Sequence, residues 1–152
     1  MIDRSFIGRT LPPFEVEVEK GALRFFAKAT GQADLVYVDT AAAKAAGYPD
    51  LPVPPTYLFC LEMAAPNPAA LRELLAIDIS RVLHGEQQFV YHAMAHAGEV
   101  LRFEQRIADI YDKKGGALEF VVRETRVSKQ TGAATSVLVA ELRAVTVVRN
   151  AG

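Results

Sequence analysis

His84 and Glu86 stand two residues apart in a run, Val82 to Met94, that reads as a strand, so their side chains are expected to share a face. An imidazole titrates near neutrality, and a carboxylate beside it can hold or take its proton, which is the equipment of general acid–base catalysis. The pair has three readings: a lining of a cleft or subunit contact, a satisfied structural pair, or an acid–base couple. A second group of polar side chains lies in Gly31-Gln32-Ala33-Asp34-Leu35-Val36-Tyr37. Asp34 is a carboxylate on a short irregular segment, read first as a loop cap and second as a catalytic group. Gln32 cannot titrate, and Tyr37, with an unperturbed pKa near ~10, is a poor base at neutral pH. Tyr37 reads as a pocket wall with its hydroxyl hydrogen-bonded.

Other chemistries fit less well. At ~3.3 Å per residue, His92 and His96 would lie about 13 Å apart along one strand, and His84 and His92 about 26 Å, too far to ligate one zinc. No metal and no cofactor are expected. There is no Ser/His/Asp arrangement and no glycine-rich phosphate loop, Gly115-Gly116 belonging to a hairpin. Cys60, the single cysteine, cannot form an internal disulfide and reads as an inert core residue, in keeping with a reducing cytoplasm.

The positioning elements follow from composition and pattern. At 152 residues, 51% hydrophobic and 23% charged, the chain reads as one domain, 1–152, with a sizeable core. Seventeen Lys+Arg against 18 Asp+Glu lend no support to nucleic-acid binding. No apolar run is long enough to span a bilayer, and no apolar signal core opens the chain, so a cytoplasmic protein is expected. Phe14 to Val18 alternates as a half-buried strand, and Lys20 to Thr30 reads as a helix stopped by Gly31. A short capped helix follows from Thr40 to Gly47, then a stiff connector with prolines at 49, 52, 54 and 55.

From Pro55 to Ala65 only Glu62 interrupts a run of apolar side chains after Tyr57, which predicts a helix of about 16 Å buried on nearly all sides. Pro55 and Thr56 open it, and its free N–H groups are candidates to face a thioester or phosphate. A further helix is expected from about Ala69 to Ala76. Beyond it, Val82 to Met94, Val100 to Tyr111, Leu118 to Val127 and Ser136 to Val148 read as four long strands, the last three joined by turns. Such strands twist and curl, and wrapping the sheet around the apolar helix buries both. In the last strand Leu138, Ala140, Leu142, Ala144 and Val148 share one face, while Val137, Val139, Val145 and Val147 share the other. A sheet apolar on both sides needs a second cover: a partner subunit or a continuing sheet edge.

The order of short motifs carries a resemblance. Ile7-Gly8-Arg9 with Leu11-Pro12-Pro13-Phe14, Arg24 to Ala29, Ala45-Ala46-Gly47-Tyr48, Val53-Pro54-Pro55-Thr56 and His84 to His92 together resemble the MaoC-like, or (R)-specific enoyl-CoA hydratase, superfamily, and more closely its FAS1-like dehydratase branch. The resemblance implies an α+β hot-dog fold: a curled antiparallel sheet of about five strands around a central helix. It also implies hydration or dehydration of trans-2-enoyl or (3R)-hydroxyacyl thioesters of CoA or acyl carrier protein. Catalytic members carry Gly-Asp-x-Asn-Pro-aliphatic-His. Laid on this chain, that motif keeps Gly31 but puts Gln32 at the aspartate, Asp34 at the asparagine and Tyr37 at the histidine.

The acid–base dyad is therefore absent from its family positions, leaving Asp34, His84 and Glu86 as fallback candidates. The resemblance extends to subunits of heterodimeric dehydratases in which one hot-dog chain accommodates the acyl group and its sister supplies the dyad. Gly31, Tyr37, Pro55, Thr56 and His84 are then the candidate substrate-binding residues, and the partner is a second copy or a catalytic MaoC-like chain. Tyr91-His92-Ala93-Met94 departs from the branch's Tyr-His-Arg-Pro, which removes a phosphate contact. Three rivals stand beside this reading: a self-sufficient hydratase with relocated residues, a non-enzymatic acyl-thioester-binding homodimer, and a hot-dog thioesterase.

Overall fold

Long alternating runs dominate the second half of the chain, and they build the frame. A computed structural model describes residues 1–132 and 135–150, so the end of the expected domain, 151–152, and residues 133–134 lie outside the described residues. Strands β1 (Phe14–Glu17), β2 (Val82–Tyr91), β3 (Val100–Lys113), β4 (Leu118–Gln130) and β5 (Ser136–Arg149) form one antiparallel sheet in the order β1-β3-β4-β5-β2. Helices α1 (Lys20–Ala29) and α2 (Thr40–Ala45) precede α3 (Tyr57–Met63), and α4 (Ala70–Leu74) leads into β2. Asp39, rather than Thr40, caps α2 by accepting from the Ala42 N–H at 2.9 Å. Among the described residues no helix is long and apolar enough to cross a membrane.

Helix α3 packs on the inner face of the sheet, where Leu58 and Leu61 join Leu101, Phe103, Ala140 and Leu142 in the main core. Its burial is one-sided, which corrects the expectation of a rod covered all round. Tyr57, Leu58, Leu61 and Glu62 are buried, whereas Met63 is 47% exposed and Cys60 is exposed rather than a core residue. The sheet covers only the side of a helix that faces it, so an apolar composition on the far side leaves that side bare. The helix is also shorter than expected, seven residues.

The outer face of the sheet overturns a second expectation. A register shift at Val127/Ser128 places an extra residue in β5, so Val139 joins Ala140 in the core and Leu138 moves opposite Ser128. In mid-sheet the outward positions are charged. Arg106, Glu124, Arg143 and Gln88 form one cross-strand row, and Glu104, Arg126, Glu141 and Val90 the next. Opposite signs alternate in both directions, with Arg106 reaching Glu124 at 2.6 Å. This lattice lines an open hollow of about 650 Å³, and it needs no apolar cover. Only one end of that face stays apolar, where Val122 and Val145 are buried and Tyr111 stacks on Phe120 at 4.8 Å.

Candidate functional site

Gly31, in the left-handed region at φ 70°, ends α1 and turns the chain into the segment carrying the expected catalytic positions. Its polar groups are occupied locally. Gln32 Oε1 accepts from the Asp34 N–H at 3.1 Å, and Asp34 Oδ1 accepts from the Val36 N–H at 3.1 Å, capping a 3-10 turn over Leu35–Tyr37. Burial, then the neighbouring Tyr48 and Asp34, push the Tyr37 phenol above its usual value of 10.0. At neutral pH it is a protonated hydroxyl. At the two family positions, Gln32 and Tyr37, there is thus no group that takes a proton from water at neutral pH.

Thr56, at the start of α3, also lies in the left-handed region (φ 70°), a costly conformation for a β-branched residue. Its N–H donates to the Tyr91 hydroxyl at 2.9 Å, so this donor is spoken for by β2 rather than facing open space. A second link runs from Phe59 to His84, ring centroids 5.1 Å apart. Thus α3 touches β2 at two separate points, Thr56 on Tyr91 and Phe59 on His84, seven residues apart along the strand. Tyr57 meets Phe26 of α1 at 4.9 Å, which ties that junction to the helix ahead of Gly31.

His84 and Glu86 do not share a face. A bulge at Gly85 sets His84 opposite Thr146 but Glu86 opposite Val145, so consecutive residues of β5 face them and the two side chains point to opposite sides. His84 turns inward to Phe59, while Glu86 lies outside with Arg143 at 3.5 Å. The alternation rule failed because one extra residue reverses it.

The other two histidines are engaged separately. His92 Nε2 lies 2.9 Å from Glu141, and His96 is buried, its Nδ1 3.5 Å from Glu99. Among the described residues no three His, Cys, Asp or Glu side chains gather as a metal site would require. Glu99 also accepts from Lys129 at 2.8 Å and from the His96 N–H at 3.0 Å. Burial raises the Glu99 pKa, but those hydrogen bonds and the lysine charge outweigh it, and the carboxyl sits below its usual value of 4.5. The folded chain therefore binds fewer protons here than the unfolded one, and the stabilisation is complete above about pH 4.5 and drains as pH falls through the folded-state value. A Glu99→Gln variant is expected to unfold at lower urea than the parent at pH 7, with the gap narrowing as the pH is taken below 4.5 in a series of urea titrations.

Sequence reasoning missed one polar cluster. The lone charge in the apolar helix, Glu62, is not a flaw in the core but its organiser. One oxygen accepts from Gln105 Nε2 at 2.9 Å and from the Thr125 hydroxyl, the other from Arg123 Nη2 at 2.7 Å. Its side chain is 1% exposed and that of Arg123 15%. The signal was visible: a single carboxylate in an apolar run must be paired if buried. The partner strands were not legible, since nothing local points from Glu62 to Arg123. Beside the cluster, the Arg123 Nε and both polar atoms of the Gln87 amide are buried without a protein partner.

Comparison with known proteins fits this architecture. Residues 5–137 match the family described as FAS1-like, dehydratase domain region. A UPF0336 protein of Saccharopolyspora erythraea is 41% identical over 115 residues, 75% of this chain and 74% of its own length. Another from Thermobifida fusca is 36% identical over 132 residues, 86% of each. Among solved structures, the HadBC (3R-hydroxyacyl-ACP dehydratase) complex of Mycobacterium tuberculosis superposes with a TM-score of 0.75 at 23% identity, over 93% of this chain and 96% of that one. A MaoC-like dehydratase reaches 0.82 at 20% identity, over 97% of this chain and 43% of that chain. At such identities the structural likeness establishes the fold, a hot-dog.

Proposed function

This chain belongs to the FAS1-like dehydratase domain family, and we propose that it is the acyl-holding component of a cytoplasmic hydratase or dehydratase whose catalytic dyad comes from a hot-dog partner. Its substrates are trans-2-enoyl or (3R)-hydroxyacyl thioesters of CoA or acyl carrier protein. One observation carries the reading: the Gly31–Tyr37 segment holds an amide at Gln32 and a protonated phenol at Tyr37, where water activation needs a titratable pair. The fallback groups do not repair the loss. Asp34 is committed to capping its own turn, and His84 and Glu86 point to opposite faces.

The place for a partner is supported by β2. It runs for ten residues along the edge of the sheet with β5 on one side, and contains neither proline nor lysine to discourage pairing. A second hot-dog chain laid along this edge would bring its own residues beside His84, Tyr91 and the exposed side of α3.

The test is hydration of crotonyl-CoA, followed by loss of the enoyl-thioester absorbance. The purified chain alone is compared with the chain co-purified with a hot-dog protein that retains Gly-Asp-x-Asn-Pro-x-His. The isolated chain is expected to show no turnover above background and the complex to be active. General acid and base each contribute about 10²–10⁴-fold, so the contrast should be unmistakable. Robust turnover by the isolated chain overturns the division of labour. Stabilisation by acyl-CoA with no turnover in either sample overturns the hydratase role and leaves an acyl-thioester-binding protein.

A further inference from the structure

One end of the outer sheet face keeps an apolar stripe that crosses four strands. Tyr111 of β3 pairs with Phe120 of β4, Phe120 with Val147 of β5, and Val147 with Leu83 of β2, so four side chains stand in one row. Tyr111, Phe120 and Val147 are only half-buried, and Leu83 is 45% exposed. Charges flank this stripe by sign. The row toward the β3–β4 turn carries Lys113 and Arg149, both exposed, on either side of Leu118. The row toward mid-sheet carries Asp109 and Glu86, also exposed, at the two ends of Val122 and Val145. Mid-sheet charges pair with their neighbours, but among the described residues Lys113, Arg149 and Asp109 form no ion pair. The Lys113 ammonium instead lies 5.1 Å from the Phe120 ring centre, over the stripe.

We infer that this stripe docks on the same stripe of a second copy of the chain, the two sheets back to back. The occupant follows from the charges. Stacked sheets keep their strands within about 30° of each other, so a two-fold axis in the contact lies either along the stripe or along the strands. An axis along the strands sets Asp109 over Glu86 of the second copy, like on like. An axis along the stripe sets the basic row of each copy over the acidic row of the other. Lys113 then meets Asp109, since both sit on β3, and Arg149 comes within one strand of Glu86. Each of these meetings occurs twice. Three rows by four strands cover on the order of 400 Å² per copy, about 800 Å² in all, which makes a weak, reversible contact rather than an obligate one. The β2 edge stays free. A hot-dog partner paired there and this contact together give four chains, with two copies of this one at the centre. The inference goes beyond the acyl-holding role and does not rest on it.

The experiment is sedimentation velocity over a concentration series, on the full chain and on its complex where a partner co-purifies. The parent is expected to associate reversibly into pairs through this face. Asp109→Lys and Lys113→Glu each bring like charges together twice, and each should weaken the association about ten-fold or more. The double variant exchanges the two signs and should return it to near the parental level. Within one chain the two residues lie about 13 Å apart along β3 with Tyr111 between them, so a rescue has to act between copies. A parent that stays single at every concentration overturns the inference. So does association untouched by either reversal, which would place the contact at the β2 edge instead, and so does a double variant as weak as the singles. The acyl-holding role is decided separately, by the hydration assay.

Discussion

Glu62→Ala is expected to cost about 3–5 kcal/mol of folding stability, the usual toll for removing one partner of a buried ion pair. In a chain of this size that lowers the thermal midpoint by about 6–20 °C. The loss comes less from the attraction forfeited than from what stays behind. Arg123 keeps its charge under α3 with its main acceptor gone, while Gln105 and Thr125, both buried, lose theirs too. Removing both charges is a different experiment. Glu62→Leu combined with Arg123→Met leaves no buried ion, and its midpoint should lie well above that of Glu62→Ala, with strong coupling between the two sites. Thermal melts of the two single variants and the double decide the matter. Additive losses would mean that the pair is hydrated and contributes little.

The same cluster marks how far sequence reading goes. Period and punctuation set the strands within three residues of their observed ends, because each carries an alternating apolar pattern and glycine-bearing turns separate the last three. The Gly31–Tyr37 segment and its missing dyad were equally legible, being local. What failed was whatever depended on one inserted residue or on a distant partner. The bulge at Gly85 parts His84 from Glu86, and the shift near Val139 carries it into the core. The valine leaves no mark in the periodicity, whereas Gly85, an isolated glycine in a strand, was the one local sign of a bulge and did not show how the register would shift. Glu62 was read as an interruption of an apolar helix, yet it meets Gln105 and Arg123 from 43 and 61 residues away. The outer face was misjudged for a simpler reason: the valines of β5 were counted without Glu141 and Arg143, which lie among them.

Gly85 offers the sharpest test of how the site is held. A Cβ placed there would sit 2.9 Å from the Val145 carbonyl oxygen and 2.9 Å from Val147 Cγ2. The valine methyl can turn aside, but the carbonyl belongs to the backbone of a central strand and cannot move without breaking the ladder. Gly85→Ala is therefore expected to cost about 1–3 kcal/mol, as overpacking does, and to push β2 away from β5 at the bulge. Because His84 adjoins the bulge, its contact to Phe59 should loosen with it, and amide exchange along β2 should quicken. Gly21→Ala is the control. That glycine lies in α1 with nothing within 4 Å of an added Cβ, so the substitution should raise stability by about 0.5–1 kcal/mol. Urea midpoints of opposite sign for the two alanines would show that packing at the bulge, and not a general intolerance of glycine replacement, separates His84 from Glu86. If Gly85→Ala leaves both midpoint and β2 exchange unchanged, the strand reaches its register by other means, and the opposed orientation of the two side chains loses its structural cause.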